Sequence, residues 1–292
     1  MKNFIVRAVT GVLFVAVIVA SFLDPLGMAA LFALVTGLTI WEFTGLVNDH
    51  VPATTVNRIV STAAGVFLFL AIYGFCLDIV HSKVFIAYLF TIVYLFISEL
   101  YLKHENPMNC WAYTTFAQMY IALPFSCINV LAFNAAPDGT VHFNSLLPLS
   151  VFIFLWVSDT GAYCCGSLFG KHKLFPRISP GKSWEGSIGG GILVLCAAAI
   201  LDYVEQTMNS GNGETVRSHM LSLPQWLGLG LTVCIFGTWG DLVESLFKRT
   251  IGIKDSGNIL PGHGGMLDRF DSSLMAFPAA VVYMLLLNMT GM

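Results

Sequence analysis

Charge is scarce in this chain of 292 residues: Asp, Glu, Lys and Arg make up 11% of it, where about a quarter is usual in a soluble domain. A soluble fold of this size needs a charged exterior, and the residues for one are missing. No basic surplus exists either, the net charge being −3. That argues against a nucleic-acid partner, which requires a clustered basic face. The seven cysteines fall mostly inside apolar runs and form no CxxC pair, so neither a zinc site nor a disulfide framework is expected. They read as buried, reduced thiols. No A-x-A-like site follows the first apolar stretch, so it is expected to be a retained helix rather than a signal peptide. A Walker A loop is absent too: in "SPGKS" the place of its first glycine is taken by Pro176.

What the chain does have is apolar length. Hydrophobic residues make up 56% of it, and its mean hydropathy is +0.77. A membrane span takes about 20 apolar residues. Nine windows qualify, near 5–23, 27–47, 59–80, 84–102, 109–132, 145–169, 186–203, 224–247 and 272–290. The expected fold is therefore all-α, a polytopic integral membrane protein of about nine transmembrane helices. It is read as a single membrane domain, 1–292, with N-terminal helices over 1–140 and a catalytic half over 145–292. With the N-terminus in the cytoplasm, twelve of the fourteen basic residues fall on the cytoplasmic side, and only Lys83 and Arg217 lie opposite. That asymmetry follows the positive-inside rule. The compact N-terminus fits a bacterial plasma (inner) membrane. The segment near 204–223 reads as a polar connector.

Three polar constellations interrupt the apolar pattern. In "TWGDLVESLFKRT", Asp241, Glu244, Ser245 and Lys248 share one helix face. A carboxylate at membrane depth is costly and normally faces a polar cavity or a partner. Glu244 has such a partner in Lys248, four residues on; Asp241 has none nearby in sequence. The second constellation runs from Lys254 to Asp271. Gly264 and Gly265 permit tight turns and close approach of a ligand, and Lys248, Arg249, Lys254, His263 and Arg269 bring positive charge. Asp255, Asp268 and Asp271 offer hard oxygen ligands of the kind Mg²⁺ prefers. One histidine and remote cysteines do not suit zinc. Asp271 also fits as a simple cap of the last helix. The third constellation holds Asp159 in an apolar run, followed by a basic loop containing Ser179 and Lys182. Glu42 and Glu99, near the cytoplasmic ends of their spans, read as interfacial.

Residues 245–271 resemble the signature of the phosphatidate cytidylyltransferase (CDP-diglyceride synthetase) family. The pattern is met by Ser245, Lys248, Arg249, Lys254, Asp255, Gly257, Leu260, Pro261, His263, Gly264, Gly265, Asp268, Arg269 and Asp271, without a departure. Upstream, Asp159 to Tyr163, Ser179-Pro180, Lys182 and Trp184-Glu185-Gly186 are similar to the family, with Ser183 where threonine is more usual. The resemblance covers the C-terminal half well, and the first 140 residues only in being helical and apolar.

The resemblance implies that CTP and phosphatidic acid react at the bilayer surface to give CDP-diacylglycerol and pyrophosphate. It implies Mg²⁺, with a monovalent cation such as K⁺ beside it, held by Asp241 and Asp268, with Asp271 and Asp255 as weaker candidates. Asp241, Lys248, Asp268 and Arg269 would be catalytic. Ser179, Lys182, Arg249, Lys254, His263, Gly264, Gly265 and Asp159 would bind substrate. A homodimer is a further expectation. The rival readings are a secondary transporter, against which the absence of an internal repeat counts, and a membrane kinase that uses the γ-phosphate of CTP.

Overall fold

Each apolar window folds as helix in the computed structural model, which describes residues 2–135, 139–210, 221–257 and 264–290. In chain order the helices are α1 (Lys2–Ser21), α2 (Pro25–His50), α3 (Arg58–Cys76), α4 (Val84–Leu102), α5 (Pro107–Ala117) and α6 (Leu123–Ala132). Then come α7 (Leu146–Phe169), α8 (Trp184–Ser210), α9 (Leu223–Thr250), the single turn α10 (Leu267–Phe270) and α11 (Ser273–Thr290). Among the described residues, eight helical stretches are long and apolar enough to cross a membrane, and α1 adds a shorter apolar run, Val9–Ser21. The protein is a polytopic, all-α membrane protein. Two antiparallel hairpins are the exceptions: β1 (Phe133–Ala135) with β2 (Val141–Phe143), and β3 (Lys173–Phe175) with β4 (Ser179–Ser183).

The helix starts are encoded locally. Asp24, Asn57 and Asn106 each accept a hydrogen bond from a backbone N–H three residues on, at 3.0–3.1 Å. Such a cap satisfies one of the N–H groups that a helix leaves open at its start. Pro25 and Pro107 follow two of these caps, in first-turn positions where no N–H is needed.

Two elements differ from the sequence expectation. The fifth span is not one regular helix: a π-helical turn, Gln118–Ala122, lies between α5 and α6, and Leu123 N–H bonds to the carbonyl of Gln118. Pro124 explains the change of register, because its ring crowds the carbonyl four residues back and it donates no hydrogen bond. Helix α8 also runs past the expected end near 203. Glu205 within that extension is 4% exposed and accepts a 2.9 Å hydrogen bond from the Trp226 indole. A buried carboxylate with a partner is tolerable where an unpaired one is not.

Two packing features position the polar segments. Phe270 is 1% exposed, and its ring meets Phe14, Phe32, Phe125 and Phe152 at centroid distances of 5.4–6.4 Å. This aromatic anchor fixes Asp268 and Asp271 on either side of it. The other feature is a close α7–α8 seam, where a Cβ added to Gly161 would lie 2.9 Å from the Gly190 Cα. Small residues let two membrane helices approach this closely, and the seam sets Asp159 beside the β3–β4 hairpin.

Candidate active site

The C-terminal half of α9 presents Asp241, Glu244, Ser245 and Lys248, and two separate carboxylate groups form around it. In the first, Lys248 Nζ sits 2.7 Å from Glu244 Oε2 and 2.7 Å from Asp268 Oδ1. The i, i+4 pair expected between Glu244 and Lys248 is thus present, with Glu244 fully buried. The other oxygen of Asp268 accepts the backbone N–H groups of Ser256 and Gly265, each at 2.9 Å. Gly264 turns with φ +82°, and a side chain there would collide with Asp268. Glycine at this position is therefore a steric requirement.

Helix α2 completes this group. Glu42, expected at the interface, is instead 8% exposed and accepts three hydrogen bonds. They come from Ser256 Oγ at 2.5 Å, Met266 N–H at 2.9 Å and Leu267 N–H at 3.0 Å. A carboxylate cancels the desolvation cost of such backbone donors and stiffens the segment that carries them. Glu42 thus clamps the signature segment from more than 200 residues away, a pairing with no local sequence signal.

The second group surrounds a cavity of about 340 Å³ lined by Trp156, Asp159, Asp241, Asp268, Arg269 and Asp271, among others. Asp241 lacks a basic neighbour in sequence but has one in space: Lys182 Nζ is 2.6 Å from its Oδ2. Ser245 Oγ donates to its Oδ1 at 3.1 Å. Lys182 stands on β4, and the hairpin that carries it is fastened by Glu185. That carboxylate accepts the N–H groups of Lys171 and His172 at 3.2 Å and meets His172 Nδ1 at 2.5 Å. Asp271 accepts a hydrogen bond only from the next residue's N–H, at 2.6 Å, among the described residues. Asp159, Asp241 and Asp271 act on one another electrostatically.

The remaining expected site residues fall elsewhere. Arg249 and Lys254 are exposed, and the Arg249 guanidinium donates to the Ile253 carbonyl at 3.0 Å. Asp255 is exposed and outside the cavity lining, a placement that separates it from Asp241 and Asp271. Ser179 begins β4 and is half-buried. Leu260, Pro261 and His263 lie outside the described residues. Lys248, expected to meet substrate, is buried between two carboxylates, so its charge holds the site together.

Sequence reasoning missed Tyr120 as well as Glu42. Tyr120 lies in the π-helical turn, is 6% exposed, and its hydroxyl has no hydrogen-bond partner among the described residues. It experiences the charges of Asp271, Glu244 and Asp241. π-Helical turns are frequent at functional sites, and the proline that follows was the signal available in the sequence.

A cavity lined by carboxylates and Arg269, with Lys182 paired to one of those carboxylates, has the chemistry of a site suited to phosphates. The chain belongs to the cytidylyltransferase family, whose model matches residues 5–287. It is 36% identical over 281 residues to the phosphatidate cytidylyltransferase of Haemophilus influenzae, covering 91% of this chain and 93% of that protein. A shorter stretch of 133 residues is 48% identical to the phosphatidate cytidylyltransferase of Staphylococcus aureus, 44% of this chain and 45% of that one. The protein of the same name from Staphylococcus haemolyticus is 41% identical over 173 residues, 58% of this chain and 59% of its own. The protein is accordingly a nucleotidyltransferase set in a multi-pass membrane fold.

Proposed function

We propose that the protein transfers the cytidylyl group of CTP to phosphatidic acid, giving CDP-diacylglycerol and pyrophosphate, at the cytoplasmic face of a bacterial inner membrane. The observation that carries the reading is the cavity bounded by Asp159, Asp241, Asp271 and Arg269, with Lys182 paired to Asp241. A relative matched over 91% of this chain bears the corresponding name. The basic-residue asymmetry supports the cytoplasmic face.

The reaction forms one bond between a phosphate oxygen of the lipid and the α-phosphorus of CTP. It breaks the bond from that phosphorus to the oxygen bridging the β-phosphate, and the bond's electron pair leaves with pyrophosphate. Such a step calls for positioning and charge neutralisation more than for covalent catalysis. Arg269 lines the cavity without an ion-pair partner among the described residues, so its planar fork can hold a phosphate in two places. Lys182 has Asp241 as its partner and can exchange it for a phosphate oxygen. Lys248, Asp268 and Glu42 keep the signature segment in place while the phosphates are held.

The donor set also fits a hard cation. It is oxygen-only, and several lone pairs on Asp159, Asp241 and Asp271 have no donor. Asp241 and Asp271 are the first candidates to hold Mg²⁺, with Asp159 beside them. Asp268 offers less, because Lys248 and two backbone N–H groups already occupy its oxygens. When bound, Mg²⁺ with a monovalent cation such as K⁺ supplies charge neutralisation on the phosphates.

An assay with separately labelled phosphates of CTP tests the reading. Purified protein with phosphatidic acid and Mg²⁺ is expected to carry the α-label into lipid and release the γ-label as pyrophosphate. Transfer of the γ-label to lipid would instead identify a kinase, and no transfer of either label would remove the proposal.

A further inference from the structure

The end of α4 and the start of α5 gather three side chains that no part of the proposed reaction uses. His104 Nδ1 lies 2.8 Å from Glu99 Oε2 and 3.8 Å from Cys110 Sγ. One ligand atom from each of the three residues falls within 4.8 Å of the other two. We infer that Glu99, His104 and Cys110 form a binding site for a thiophilic divalent cation of the zinc type, which clips α4 to α5.

Several features assemble the site. Lys103 closes α4 with φ 53°, a left-handed conformation rare for a residue with a side chain. That turn sends His104 back over Glu99 in the last turn of the helix. Asn106 then caps α5 and Pro107 occupies its first turn, which places Cys110 in the helix's opening turns. Cys110 is 1% exposed. Its sulfur accepts the backbone N–H of Thr55 at 3.4 Å, and Asn109 Nδ2 donates to Thr54 Oγ1 at 3.3 Å. The connection between α2 and α3 therefore supports the same spot. An N–H aimed at a cysteine sulfur is the outer-shell contact that steadies a thiolate ligand.

Distances and charge suit the ion. Zinc bonds of about 2.3 Å to sulfur and about 2.0 Å to nitrogen put the two donors roughly 3.6 Å apart at a tetrahedral centre. The observed 3.8 Å is close to that. The shorter Glu99–His104 contact is a hydrogen bond; it would open as the cation takes Nδ1, the neutral imidazole then carrying its one proton on Nε2. Binding converts the Cys110 thiol to thiolate with release of one proton to solvent. Glutamate and thiolate then carry two negative charges against the cation's two positive ones. Imidazole and thiolate together favour zinc over Mg²⁺, so the site is chemically distinct from the aspartate cavity. It also meets a structural need, since Leu95 is the only fully buried residue recorded for α4.

Full-length protein in detergent, stripped of metal with a chelator, is to be titrated with Co²⁺ and, separately, with Zn²⁺. The wild type is expected to show a cobalt–thiolate charge-transfer band and to retain about one zinc per chain through gel filtration. Cys110→Ser and His104→Gln should each lose the band and weaken zinc binding by about a hundredfold or more. Zinc should raise the melting temperature of the wild type and not of the variants. Circular dichroism of both variants confirms that they are folded. No charge-transfer band in the wild type, or a band that survives in Cys110→Ser, would overturn the inference. The carboxylate cavity has no sulfur donor, so neither result depends on the proposed reaction.

Discussion

Two carboxylate groups lie side by side in this protein, and they differ in how many donors each has been given. Asp268 and Glu42 accept three hydrogen bonds apiece. Asp241 accepts one from Ser245 and pairs with Lys182, Asp271 accepts one from its neighbour, and Asp159 has no described side-chain donor. A carboxylate has room for about four donors. In the first group Asp268 and Glu42 are nearly saturated by the protein, as a scaffold requires, while buried Glu244 has Lys248 as its partner. The second is left open toward a cavity, as a cation or phosphate-handling site requires. A shared signature motif can therefore contain residues with opposite duties.

Substitutions separate the duties, and the largest effect belongs to the open group. Asp241→Asn is expected to lower turnover by about 10³-fold or more, the scale of losing a key electrostatic group, while the melting temperature stays near wild type. A melting temperature that falls with the activity would move Asp241 into the scaffold. Asp268→Asn should lose both properties, because it leaves Lys248 facing only Glu244; breaking a buried pair costs about 3–5 kcal/mol. Thermal unfolding of the purified variant in detergent checks this, and wild-type stability would contradict it.

Glu42→Gln keeps the shape and removes the charge, so the signature segment should loosen by about 1–3 kcal/mol. Hydrogen exchange at Met266 and Leu267 should speed up, with kcat falling more than KM rises. Unchanged exchange would mean that the clamp is not needed. Tyr120→Phe is a smaller change. Removing a buried hydroxyl without a partner should leave stability level or slightly higher, and turnover should drop by less than about tenfold. A melting temperature well below wild type would point to a partner for that hydroxyl. Asp255→Asn, at an exposed position outside the cavity, should stay within about twofold of wild-type turnover.

Much of this was legible in the sequence for physical reasons. Apolar length locates the helices, because a span must cover its own backbone groups, and the caps at Asp24, Asn57 and Asn106 mark their starts. The signature segment was visible because its residues are close in sequence. Glu42 was not, since its partners at Ser256, Met266 and Leu267 follow from how α2 packs. Lys182 and Asp241 likewise meet only through the hairpin. The π-helical turn depends on how the bundle accommodates Pro124. Glu99, His104 and Cys110 match no zinc spacing, and only the left-handed turn at Lys103 brings them together.

One measurement bears most directly on the division between the two groups: transfer of the CTP α-phosphate label into lipid by wild type, Asp241→Asn and Asp268→Asn, compared at equal folded fraction. The wild type should transfer label, Asp241→Asn should transfer almost none while fully folded, and Asp268→Asn should show its loss together with a lowered folded fraction. Wild-type transfer by fully folded Asp241→Asn, or no α-label in lipid from the wild type, would contradict the account.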